Sequence, residues 1–165
     1  LTKDYSKSLE NFVIDFRESN SSVFSRGIEL DLSNLKEART KDELILLANE
    51  ANLKISAVYL EDIFSNLERI KIASEQSGFN QDEFEKSLSE NIFKSSILRG
   101  SKIECLKDYD DAMATAAILT AACGAIAGVL TGGGAAPGCL GLFAEELFRA
   151  EISLYYCLQR VANER

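Results

Sequence analysis

The chain has no histidine and no tryptophan, and only one proline and one methionine among its 165 residues. Without histidine it lacks the commonest general base and every Ser–His or Cys–His nucleophile arrangement. A single proline leaves long stretches rich in Leu, Ala, Glu, Lys and Ser uninterrupted, which favours helix. Basic residues are in the minority, 18 against 26 acidic, for a net charge of −8. Nucleic acid wants a basic face and anionic lipid wants a basic helix, so neither is an expected partner. No G-x-S-x-G, P-loop or dinucleotide fingerprint is present. Gly132–Gly134 follows a helical pattern rather than a strand and lacks the Lys and Ser/Thr of a phosphate loop, so it reads as a turn. No catalytic residue and no cofactor is expected. With 46% apolar and 27% charged residues, the composition is that of a globular domain with one core.

What is present is four cysteines, Cys105, Cys123, Cys139 and Cys157, placed symmetrically about residue 131. Eighteen positions separate the first two, and eighteen the last two. That is five turns at about 3.6 residues per turn, so each pair lies on one face of one helix. Folding the chain back as two antiparallel helices brings Cys123 to Cys139 and Cys105 to Cys157. With axes about 10 Å apart and Cα atoms at a radius of about 2.3 Å, facing Cα atoms are roughly 5.4 Å apart. Disulfides span about 4.4–6.8 Å. The same register sets Ala112 against Ala150, Tyr109 against Ser153 and Ala116 against Glu146. Four separate buried thiols are the competing reading. Zinc is disfavoured, since no C-x₂-C knuckle accompanies the missing histidine. Disulfides persist in oxidising compartments, so the expected address is secreted, periplasmic or cell-surface. No basic stretch followed by an apolar run opens the chain at Leu1; the expectation is that a signal segment was removed by processing or never included.

Helical periodicity runs through the rest. Residues 4–18 place Tyr5, Leu9, Phe12, Val13 and Phe16 on one face. Ile28, Leu30 and Leu32 alternate with Glu29 and Asp31, a strand-like period with no partner strand, read as an extended connector over residues 19–39. Thr40 and Glu43 form a capping box for a helix carrying Leu44, Leu47, Ala48 and Ala51. A helix over 56–77 buries Leu60, Ile63, Phe64, Leu67 and Ile70, and Gly78 supplies its C′ position. Asn80 with Glu83, and Phe79 with Phe84, give a cap and a hydrophobic staple for a helix through Leu88, Ile92, Phe93 and Ile97. Ser101 and Glu104 cap a long helix to about Thr131, and Pro137 opens a last helix with the stripe Leu140, Phe143, Leu147, Leu154, Leu158 and Val161. The expected fold is all-α: one domain over residues 1–165, a bundle of five or six helices. Residues 1–100 pack on a disulfide-clipped αα-hairpin formed by residues 101–165.

Residues 112–144 carry no charge, and within them Gly124 and Gly128 form G-x-x-x-G, which in lipid permits close helix contact. This apolar hairpin resembles that of the pore-forming colicins, implying a pore-forming or bacteriocin-like toxin as the alternative function. Against insertion, Glu145, Glu146, Arg149 and Glu151 interrupt the second arm long before 20 residues. The preferred reading is a helix buried in the bundle. The run Cys105-Leu-Lys-Asp-Tyr109-Asp-Asp-Ala112, leading into Ala122-Cys123-Gly124, resembles small exported Ala/Cys-rich hairpin proteins of Bacteroidetes over about residues 101–160. That resemblance implies export and the hairpin, and no activity.

One acidic cluster remains, Asp108, Asp110 and Asp111. The hairpin register sets Asp111 opposite Glu151, so Asp108, Asp111 and Glu151 form a candidate site for a hard cation such as calcium. Solvated charges, partly neutralised by Lys102, Lys107 and Arg149, are the plainer reading, and no metal is expected. The function these features favour is an exported, non-enzymatic helical protein that binds a protein partner or acts structurally.

Overall fold

The computed structural model describes residues 2–91, 103–121, 123 and 136–163 of the chain. Among them are seven α-helices and no strand. They are α1 (Thr2–Ser19), α2 (Ser21–Ser25), α3 (Lys41–Glu50), α4 (Ala57–Ser74), α5 (Gln81–Asn91), α6 (Ile103–Ala121) and α7 (Ala136–Asn163), with a 3-10 turn at Leu35–Glu37 between α2 and α3. The six longer helices are those expected from periodicity; α2 is additional. One apolar core runs through all seven.

The local signals act where the sequence places them. Thr40 Oγ1 accepts from the Glu43 amide at 3.0 Å and caps α3, while the Glu43 carboxylate accepts from the Arg39 amide at 3.4 Å. Asn80 Oδ1 accepts from the Glu83 amide at 3.1 Å, and the Phe79 and Phe84 rings meet at 5.8 Å as the staple of α5. One boundary differs: α4 ends at Ser74, and Gly78, with φ +94°, shapes the turn that follows rather than the helix end itself.

The connector differs more. Part of it is the five-residue α2, and only Leu32 of the alternating trio is fully buried; Ile28 is exposed. Aromatic packing explains the helix. Phe24 touches Phe16 of α1 and Phe148 of α7, and Phe12 touches Phe143, with centroids 5.7–6.0 Å apart. Asn20, buried at the α1–α2 junction, donates to the Phe16 and Lys54 carbonyls and accepts from the Lys54 amide at 2.7 Å. Satisfied in this way, a buried amide holds the bend without a desolvation cost.

The hairpin has its expected register. Cys105–Cys157 and Cys123–Cys139 are bonded, with Cα separations of 5.8 and 5.9 Å. One face of the α6–α7 pair lies on α1, where Tyr5 donates to the Ala117 carbonyl at 3.1 Å. Two disulfides suggest an oxidising environment. Among the described residues no helix is long and apolar enough to cross a membrane. Gly124, Gly128 and the glycine turn at 132–134 lie outside the described residues, as do Ser101, Lys102, Ile92, Phe93 and Ile97.

Candidate functional site

The side of the hairpin that carries the bridges is a groove. Ala112, Ala150 and Ser153 line it with small side chains, and the Tyr109 ring beside them is buried with its hydroxyl on Glu151. A cleft of about 700 Å³ runs from Cys105–Cys157 along these residues to Glu146 and Arg149. A second, of about 380 Å³, shares Ala112 and Glu146 with it and continues past Thr115, Ala116, Leu119 and Leu142 to Cys123–Cys139. Each disulfide therefore closes one end of a single track. Leu119 is 58% exposed and Leu142 39% exposed, and both lie on the more apolar half.

Beneath the groove is a polar cluster of buried Tyr109 and Glu151 with the partly exposed Arg17. Tyr109 donates to Glu151 Oε1 at 2.5 Å, and Arg17 Nε reaches the same oxygen at 2.9 Å. The Arg17 guanidinium stands 5.6 Å from the centre of the Tyr109 ring. Three helices, α1, α6 and α7, are joined at one carboxylate. Burial pushes the Glu151 carboxyl above the ordinary carboxylate range, while the Arg17 charge and the Tyr109 hydrogen bond pull it down. Burial, then the Glu151 charge, holds the Tyr109 phenol un-ionised. Asp110 is also raised, by partial burial and then by its neighbour Asp111.

The structure does not bring Asp108, Asp111 and Glu151 together as a cation site. Asp108 and Asp111 are exposed, whereas Glu151 is 4% exposed and engaged by Arg17 and Tyr109. Among the described residues no three Asp, Glu, Cys or His side chains are grouped to hold a metal ion. Arg149 pairs with Glu145 and Glu146 instead of the aspartates.

The role of Arg17 is not legible in the sequence, since it stands among polar residues of an amphipathic helix. The role of Glu151 has a signal. It occupies the stripe position between Leu147 and Leu154, where a carboxylate must be buried and must find a partner. Gly138 and Gly141 also carried one, being interior helix glycines. A Cβ at Gly138 would lie 2.6 Å from the Lys36 carbonyl oxygen, and one at Gly141 would strike the Leu35 carbonyl oxygen. They let the 3-10 turn cross α7 backbone to backbone.

No family model, no curated protein and no solved structure matches this chain.

Proposed function

We propose that the chain is an exported, non-enzymatic helical module that binds a segment of a protein partner in the groove between α6 and α7. The observation that carries this reading is a long open track whose two ends are covalently fixed. A groove held rigid before binding loses less conformational freedom when it is filled. Small side chains along it leave room for the side chains of a partner, and exposed Leu119 and Leu142 offer apolar anchors. The resemblance to exported Ala/Cys-rich hairpin proteins supports the same address, and two disulfides are at home there.

Two measurements test it. Thiol trapping of protein taken from the producing cell's envelope and medium should find all four cysteines bonded; protein confined to the cytosol with free thiols would overturn export. Ala112→Trp fills the groove from its edge. Oxidised wild-type protein should retain a specific partner from envelope extracts that an equally folded Ala112→Trp protein does not. The same proteins retained by both would remove the groove from the function.

A further inference from the structure

A separate cleft, of about 410 Å³, lies beside the groove, between the connector at residues 29–33 and α7. Its apolar lining is Leu32, Phe148 and Ile152, each at least nine-tenths buried, with the partly buried Leu30 beside them. Three carboxylates surround it: Glu29 and Asp31, both exposed, and Glu145, which is 6% exposed. Glu145 is only half satisfied. Its Oε1 accepts from Arg149 Nη2, and its Oε2 is buried with no hydrogen-bond partner. A buried carboxylate oxygen without a donor is costly, and a ligand that brings a charged N–H donor relieves that cost. The Arg149 side chain on the rim is 64% exposed. It pairs with both Glu145 and Glu146, which shows that the Glu145 carboxylate accepts a guanidinium.

We propose that this cleft binds an organic cation, a primary ammonium or guanidinium group on an apolar stem, with the stem against Phe148 and Ile152 and the charge on Glu145. A metal ion does not fit, because the carboxylates are not grouped to ligate one. The exposed Glu29 and Asp31, and the net charge of −8, draw cations toward the mouth. The inference rests on neither export nor the α6–α7 groove.

The test is calorimetric titration of the oxidised protein with phenethylamine, and with its uncharged counterpart phenethyl alcohol. The amine should bind at least about tenfold more tightly, as expected for a charge-assisted hydrogen bond. Glu145→Gln should remove that preference. The exposed pair Glu29→Gln/Asp31→Asn, which leaves the core untouched, should weaken the amine by a few fold at low salt, and the difference should vanish at high salt as the wild type weakens to the same level. A short peptide with one lysine, run beside the free amine, distinguishes a basic partner from a small amine as the source of the cation. Equal binding of amine and alcohol, no binding of either amine or peptide, or amine affinity unchanged in both variants would overturn the site.

Discussion

Glu151 is a carboxylate in a position that periodicity reserves for leucine, and its energetics follow from its two neighbours. Tyr109 donates to it and Arg17 faces it, so truncating the phenol leaves a buried oxygen short of a donor. Tyr109→Phe should destabilise by about 1–3 kcal/mol, read from denaturant unfolding; a change within about 0.5 kcal/mol would mean that the hydrogen bond is dispensable. The pH dependence has a definite sign. The folded-state pKa of Glu151 is raised above its ordinary value of 4.5, so the folded protein holds this proton more tightly than the unfolded chain. Its favourable contribution is complete below about pH 4.5 and is lost as pH rises through the folded value. Asp110 acts in the same direction, whereas Asp4, held low by Arg69, and Asp31, held low by Ser33, contribute stability that is lost on acidification. Glu151→Gln keeps the shape and removes one titration. Against wild type it should gain relative stability as pH rises from about 4.5 toward neutrality. Parallel pH profiles for the two proteins would show that Glu151 titrates normally.

Among the elements, the register of the hairpin was legible and the connector only in part. Cysteine spacing fixed the register because a disulfide tolerates only a narrow Cα separation, and the 5.8 and 5.9 Å observed fall inside it. The caps at Thr40 and Asn80 were legible because they are local chemistry. Helix α2, the Asn20 bridge to Lys54 and the Arg17–Glu151 pair were not, since each depends on residues tens of positions away. The 3-10 turn at Leu35–Glu37 belongs with them: its partner is α7, and the glycines that admit it are legible only as anomalies. Gly141→Ala should therefore cost about 1–3 kcal/mol or more through overpacking, although alanine is the better helix former. A stabilised variant in thermal unfolding would show that the turn moves freely away. The two bridges should differ as well. Their sequence separations are 52 and 16, for which the chain-entropy model gives about 4 and about 3 kcal/mol. Replacing Cys105 and Cys157 by serine should lower stability more than replacing Cys123 and Cys139; the reverse order would mean that the native geometry, not the unfolded chain, decides.

For the whole molecule the open contest is between a rigid module and a chain that opens into a bilayer. Residues 112–144 carry no charge, but α7 continues without a break through Glu145, Glu146, Arg149 and Glu151. Drawing that helix into lipid carries these groups with it, at about 2.5–3.5 kcal/mol for each charge near the centre of the bilayer. Glu145 and Glu151 already have their cationic partners in the folded state, Arg149 beside one and Arg17 of α1 beside the other. Insertion must break the second pair and strip α1 from the hairpin, which also gives up the contacts of Phe12 with Phe143 and of Tyr5 with the Ala117 carbonyl. Acid is the condition most favourable to insertion, since it neutralises the carboxylates, yet protonating Glu151 also strengthens the folded state by the sign derived above. The oxidised protein should therefore release no dye from vesicles containing anionic lipid, at pH 7 or at pH 4.5. The reduced protein tests the same barrier without its covalent ties. Leakage by both forms would establish the pore-forming alternative. Leakage only after reduction would make the two bridges a lock on an inserting hairpin, and would reassign the groove between them from a binding surface to a seam that opens.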